Sequence, residues 1–272
     1  MARFILIAIA VAFVVLAIAI PVMGVFARAL QDGILPYWTA ISDPETVFAI
    51  KLTIFAALIV LPINVVFGIA AAWLIARHEF FGRRALLILI ESPFAISPVV
   101  AGLCFLLIYG AYGPVGAFLQ DYNVQLMFNL AGIVLVQLFV TAPFVVRELL
   151  PVLAVTGEDE ERAAITLGAN GWQLMRHVVL PNVSSGLAYG VILTAARAIG
   201  EFGATAVVAG SIRGQTMTLP LQIELLYNDF NVTGAFAAAT VLTALALVTL
   251  LLKAALTRFG PQHAHLHTGQ MA

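Results

Sequence analysis

Six apolar runs, each about as long as a bilayer is thick, leave this chain little choice of fold. They cover residues 4–26, 52–75, 85–109, 127–146, 184–209 and 235–256. A helix needs roughly 20 mostly apolar residues to cross hydrocarbon. Backbone polar groups in lipid must be satisfied within the segment, so these runs predict helices. The period-2 alternation of a membrane β-barrel is missing. The first run outlasts the roughly 7–15 apolar residues of a signal-peptide core and lacks a good cleavage site, which predicts a retained helix. The expectation is an all-α membrane protein with about six transmembrane helices.

Composition narrows the function classes. Hydrophobic residues make up 62% of the 272 and charged residues 10%, with a mean hydropathy of +1.05. Soluble domains are nearer half apolar and a quarter charged. A soluble enzyme, a disordered chain and a disulfide-stapled module are excluded. A net charge of −1 gives no electrostatic case for nucleic acid. The single cysteine, Cys104, lies inside an apolar run and reads as a small buried residue. A membrane-bound enzyme would need His, Asp or Glu clustered at one depth, and none is visible. His263, His265 and His267 alternate as metal ligands can, yet residues 260–272 read as a disordered cytoplasmic tail.

The few charges orient the chain. Arg3, Arg77, Arg83, Arg84, Arg147, Arg162, Arg176, Lys253 and Arg258 fall on one side of the six spans, and Arg28, Lys51 and Arg213 on the other. The positive-inside rule places the larger set, and both termini, in the cytoplasm. The outer segment 28–50, with Tyr37 and Trp38, reads as an interfacial helix, because aromatics favour the headgroup level.

Two spans are interrupted. The third contains Glu91, Ser92, Pro93, Ser97 and Pro98. Its prolines remove two backbone donors and disfavour helix at the residues before them. This is either a packing kink or the wall of a pathway, where broken helix and charge are tolerated. The fifth contains Arg197, Gly200, Glu201 and Gly203. Arg197 and Glu201 are four apart, on one face of a helix. They read as a structural ion pair or as part of a gate. The outer loop 210–234 carries Ser211, Arg213, Thr216 and Thr218, either as an ordinary solvated loop or as a contact for an arriving solute or protein.

The cytoplasmic loop 147–181 is the most informative segment. Thr156 is placed to N-cap a helix whose first turn holds Glu158, Asp159, Glu160 and Glu161, as the helix dipole favours. That helix runs through Leu167 and stops at Gly168; a second runs from about Gly171 to Val179 and ends at Pro181. Ala163, Ala164 and Gly168 permit close approach by another surface, and Ile165, Leu167 and Trp172 offer apolar anchors. The loop is either an amphipathic helix resting on the bilayer or a knob for a soluble partner.

The stretch Ala163-Ala164-Ile165-Thr166-Leu167-Gly168, nine residues, then Val178-Val179-Leu180-Pro181 resembles the EAA motif, EAA-x3-G-x9-I-x-LP, of membrane subunits of bacterial ABC importers. Arg162 stands where that pattern has glutamate, with Glu160 and Glu161 just before it, and Glu161 is the residue able to serve instead. Val178 replaces isoleucine. The segment Ala196–Ala204 is similar to one shared by sulfate and molybdate permeases. Ser211-Ile212-Arg213-Gly214, Thr218–Glu224, Pro93–Gly102 and Ser42–Glu45 resemble the sulfate/thiosulfate permeases of the CysW type. The resemblance covers most of the chain outside the first span and the tail.

It implies a molybdate/sulfate permease-like transmembrane domain over residues 1–259, with a coupling loop at about 155–181 contributed by Glu160, Glu161, Ala163, Ala164, Leu167, Gly168, Leu180 and Pro181. It implies a multi-pass protein of the bacterial inner membrane, surrounded by lipid. Its partners would be a related sister permease in a heterodimer, two ATP-binding subunits and a periplasmic sulfate-binding protein. The chain has no GxxxxGK[ST] loop to hold nucleotide phosphates; ATP and Mg would be bound by the partner ATPase. The implied activity is sulfate/thiosulfate import by alternating access. Molybdate or tungstate is the alternative cargo. A stand-alone channel or secondary transporter would instead need coupling charges at the midplane and no docking loop.

Overall fold

The computed structural model describes residues 2–259, and every regular element among them is helical. In chain order these are α1 (Arg3–Ala29), α2 (Ile34–Ser42), α3 (Pro44–Arg77), α4 (Arg83–Ala95), α5 (Pro98–Tyr109), α6 (Pro114–Gln120), α7 (Leu130–Thr156) and α8 (Asp159–Thr166). They continue with α9 (Gly171–Asn182), α10 (Ser184–Ile199), α11 (Gly203–Ala209), α12 (Leu219–Asn228) and α13 (Val232–Phe259). Helices α1, α3, α7 and the Val232–Ala255 part of α13 are each long and apolar enough to cross a membrane. The pairs α4–α5, bent by 113°, and α9–α10, bent by 79°, bring the number to six if each pair is one span.

Helix starts follow from local chemistry. The Asp43 carboxylate accepts from the backbone N–H groups of Glu45 and Thr46 at 3.0 and 3.2 Å, with Pro44 next in the first turn of α3. The Asn129 side-chain oxygen does the same for α7, accepting from Ala131 and Gly132. Each cap satisfies donors that have no intrahelical partner.

Helices α3, α7 and α10 form the centre. Gly186, Gly190, Thr194 and Ala198 recur every four residues along the buried face of α10, a small-residue stripe that lets helices approach closely in lipid. A Cβ on Gly190 would sit 3.0 Å from the Val145 Cα, and a Cβ on Gly68 of α3 would sit 2.5 Å from the Val145 side chain. Val145 of α7 thus fills a notch made by one glycine on each neighbour. A polar ladder joins the same helices. The Asn64 amide donates to the Thr141 hydroxyl at 2.6 Å, that hydroxyl donates to the Gln137 carbonyl, and the Gln137 amide reaches the Ala198 carbonyl at 3.3 Å. All four side chains or carbonyl-bearing residues are buried.

Four expectations need correction. Helix α7 runs ten residues past the predicted end of the fourth span, so Arg147 lies inside a helix and not in a loop. Leu149 and Leu153 are buried there and keep the helix going past Pro151. Thr156 is consequently the last residue of α7, its hydroxyl donating to the Val152 carbonyl, and caps nothing. The fifth span is broken after Ile199, so Arg197 and Glu201 do not share a helix. Cys104 is exposed on α5, because that helix buries only Ala101 and Gly102. Within the segment 28–50 the chain forms the short helix α2, with Trp38 exposed and the Tyr37 hydroxyl 3.0 Å from that of Thr240 on α13. The histidines of the tail lie outside the described residues.

Filling the notch should be costly. Gly68→Val is expected to destabilise the protein by about 1–3 kcal/mol or more through overpacking, read as a lowered thermal midpoint in detergent. Gly24→Ala, at a glycine with nothing within 4 Å, is the control and should leave the midpoint unchanged.

Candidate functional site

The segment with the EAA-like pattern folds into a protruding helical hairpin. Helix α8 ends in a Schellman turn: the Gly168 N–H donates to the Ile165 carbonyl at 2.9 Å and the Ala169 N–H to the Ala164 carbonyl at 3.0 Å. Gly168 has φ +87°, a conformation that costs any residue with a Cβ. Helix α9 is opened by a capping box between Asn170 and Gln173. It widens into a π-turn at Met175–Val179 and continues through Pro181 to Asn182, so Pro181 is not its stop.

One side of this hairpin is built into the bundle. Leu174, Val179 and Val183 are buried, with Ala164 and Val178 packed beside them. The other side is apolar and exposed: Leu167 at 88%, Trp172 at 70% and Ile165 at 57%. Ala163, Gly168 and Pro181 are also exposed, and Leu180 is half-buried. Exposed apolar side chains converging on one knob mark an interaction surface.

Glu161 points the other way. Its carboxylate accepts the Arg77 Nε–H at 2.8 Å on one oxygen, which also lies 2.7 Å from Nη2 in an ion pair, and the Trp73 indole N–H at 3.1 Å on the other. Arg77 also donates to the Leu153 carbonyl at 2.9 Å. The two charged side chains are only 8% and 11% exposed. The carboxylate therefore fastens α8 to the end of α3, Arg77 extends the link to α7, and Glu161 does not face the knob's outer surface. Glu160 accepts from the Asn182 amide. Arg162, at the position of the motif's glutamate, is exposed and pairs with Glu158, the N-cap of the same helix, at 2.6 Å. Arg77 and Trp73 lie more than 80 residues upstream and carry no local signal of this role.

The two interrupted spans meet. A Cβ on Gly102 of α5 would lie 2.8 Å from the Ala204 carbonyl of α11, and one on Gly203 would lie 3.3 Å from Pro98 and 3.2 Å from Val99. The first turns of α5 and α11 thus pack side by side, each directly after a break. Glu201 lies in the second break with its side chain fully buried. One oxygen is 2.7 Å from Arg197, and the other accepts the Ala204 N–H at 3.0 Å. The carboxylate staples the end of α10 to the start of α11. Gly200 is the C-cap that follows α10, and Ser97 precedes α5 without capping it through its side chain. Glu91, Ser92 and Pro93 lie in α4 before the 113° bend, and Glu91 and Ser92 line a cleft with Arg147.

The outer-loop residues divide. The Arg213 guanidinium is shared by Asp229 at 2.8 Å and Glu45 at 3.5 Å. Thr216 is buried and fixes its turn, donating to the Ala209 carbonyl and accepting the Ile212 N–H. Thr218 is buried at the start of α12, and Ser211 is exposed with φ +48°.

Removing Glu161 would leave a buried guanidinium without its carboxylate. Glu161→Ala is expected to cost about 3–5 kcal/mol. A double-mutant cycle with Arg77→Ala on unfolding free energies should show strong coupling. Arg162→Ala, breaking an exposed pair, should change stability little.

Comparison with known proteins agrees with this architecture. Residues 64–261 match the family described as "Binding-protein-dependent transport system inner membrane component". The chain is 54% identical over 237 residues to the sulfate transport system permease protein CysW of Escherichia coli (strain K12), covering 87% of this chain and 81% of that one. It is 36% identical over 238 residues to the sulfate transport system permease protein CysT of the same strain, covering 88% and 86%. Among solved structures, the fold resembles a chain of a bacterial alginate ABC transporter in complex with an alginate-bound periplasmic protein, with a TM-score of 0.79, 94% of each chain covered and 17% identity. With the bundle, the interrupted spans and the protruding hairpin in place, this chain belongs to the binding-protein-dependent transport system inner membrane components.

Proposed function

We propose that the chain is one membrane subunit of an ATP-driven importer that moves sulfate and thiosulfate inward across the bacterial inner membrane. The cargo reading is carried by the 54% identity, spread over 87% of the chain, to a permease named for sulfate transport. The same bacterial strain has a second permease named for sulfate transport, 36% identical to this chain. That supports a heterodimer of two related permeases. The family description supports delivery of cargo by a separate binding protein.

In this reading the exposed Ile165–Leu167–Trp172 knob seats in a partner ATPase on the cytoplasmic side, where the excess of arginine also places both termini. Nucleotide binding draws the two ATPases together. The knob transmits that displacement through the Glu161–Arg77 pair to α3 and α7. Because α4–α5 and α10–α11 are broken, they are the elements able to rearrange while the central helices stay packed. Alternating access then comes from two packings of the same helices around one pathway.

The test is uptake of labelled sulfate by cells lacking the native chain and complemented with it, with thiosulfate and molybdate as competitors. Uptake should be restored and thiosulfate should compete. Restored molybdate uptake without sulfate uptake would reassign the cargo. Leu167→Asp, at an exposed position that contributes no buried contact, should leave the chain inserted and folded but lose copurification with the ATPase and lose uptake. Normal copurification and uptake in that variant would remove the knob from the coupling step.

A further inference from the structure

Arg147 is a charged residue that the fold holds in an unusual way. It projects from α7 nine residues before that helix ends at Thr156, or about 14 Å from the end at 1.5 Å per residue. It is exposed, and its guanidinium carbon lies 5.3 Å from the centroid of the Phe94 ring. Unlike Arg77, Arg83, Arg162, Arg197 and Arg213, it makes no ion pair with a carboxylate among the described residues. It opens onto a cleft of ≈ 520 Å³ lined by Ile88, Glu91, Ser92, Phe94, Ala95 and Arg147. Because α7 overruns the apolar run 127–146 by ten residues, Arg147 stands at the end of that run nearer α8, where a guanidinium is costly against lipid tails and is favoured to meet water, a solute or protein.

The cleft follows from the interruption in α4. Pro93 has no N–H to give the Leu89 carbonyl, and the Ser92 hydroxyl donates to that carbonyl at 2.8 Å instead. Helix therefore persists through the proline for one more turn. This carries Phe94 to where it stacks on Arg147 and on Phe144, 5.2 Å away edge to face. Stacking on an aromatic face orients the guanidinium while leaving its in-plane N–H donors open. Those donors form a fork suited to an oxyanion. Glu91 shares the cleft and also makes no ion pair among the described residues. The cleft is therefore balanced in charge, and an anion meeting Arg147 is attracted at one point and repelled at another. Such a contact is weak enough to release its ligand, as conduction through a pathway requires.

We infer that Arg147, braced by Phe94, is a transient contact for the tetrahedral oxyanion on its way through this subunit, in the half of the bundle nearer α8. The inference rests on the importer reading above. Because the contact lies beyond the point of delivery, its loss should slow transit without changing capture.

The experiment measures sulfate uptake by cells carrying the complete transporter, with Arg147→Met, Arg147→Lys and Phe94→Leu in this chain, alongside copurification of the sister permease and the ATPase. All three variants should assemble. Arg147→Met should lower the maximal rate roughly tenfold or more while the half-saturating sulfate concentration stays fixed. Arg147→Lys should keep part of the rate, because charge remains, and Phe94→Leu should lose less than Arg147→Met. Unchanged transport by Arg147→Met, equal defects in the Met and Lys variants, or a Phe94→Leu defect as large as that of Arg147→Met would overturn the proposal. Loss of the sister permease from the Arg147→Met complex would instead make the residue an assembly contact and overturn it as well. If the unmodified transporter carried no sulfate, it is the importer reading that would fail.

Discussion

Everything else in the fold hangs on the fit of Val145 between Gly68 and Gly190. Lipid tails are as apolar as the helices they surround, so burial of apolar surface alone does not drive helices together in a bilayer. Close packing and satisfied polar groups must do it. The notch lets α3 and α10 approach α7 on two sides at once; a Cβ at Gly68 would clash with Val145 at 2.5 Å, and one at Gly190 would press on its Cα at 3.0 Å. The Asn64–Thr141–Gln137 ladder then closes between the same three helices. Its polar atoms would be costly if left open in so apolar an interior. Shape and hydrogen bonding thus specify one arrangement together.

Around that centre, charge is used to fasten joints. Glu161 binds α8 to the end of α3, whose Arg77 also bonds α7, and Glu201 binds the end of α10 to the start of α11. Both carboxylates are buried and both accept a second bond besides the ion pair, which is the condition under which a buried pair holds rather than weakens a structure. Arg213 does the same at the surface by joining the start of α3 to the C-cap of α12. Arg77, Glu161, Arg197, Glu201, Arg213, Glu45 and Asp229 therefore sit where elements must be kept in register.

The sequence announced the helical class, the six apolar runs and the two interruptions, because length and hydropathy are local properties. It also announced the hairpin at 159–182, because Gly168 and the residues around it carry a turn with a fixed conformational demand. It did not announce how far α7 runs, since Arg147 reads as a boundary until the buried Leu149 and Leu153 are seen on the far side. Nor did it show that Glu161 faces inward. Arg77 and Trp73, which decide that, are distant in the chain and meet α8 only through the packing of α3 on α7. The separation of Glu91 from Ser97 and Pro98 was hidden for the same reason: a bend of 113° sends neighbouring residues to different partners.

These fastenings bear on which parts of the bundle can move relative to one another. Helix α8 is tied by a buried carboxylate to Arg77 and Trp73 of α3, and through Arg77 to α7, so in the proposed importer a push on the knob would be passed to α3 and α7. Helices α5 and α11, by contrast, are each joined to their predecessor through a break, and they hold each other by backbone approach at Gly102 and Gly203. A contact made of close backbones and small side chains can slide with few interlocked groups to release, whereas the Val145 notch cannot. The proposed conformational change should therefore leave the α3–α7–α10 centre rigid and redistribute motion to the α5–α11 pair. The Glu201 staple would set how far α11 departs from α10. Arg147 and Phe94 lie on α7 and α4, between the rigid set and the first of the broken spans. A change in the α4–α5 bend would move Phe94 relative to Arg147 and alter the very contact that braces the guanidinium.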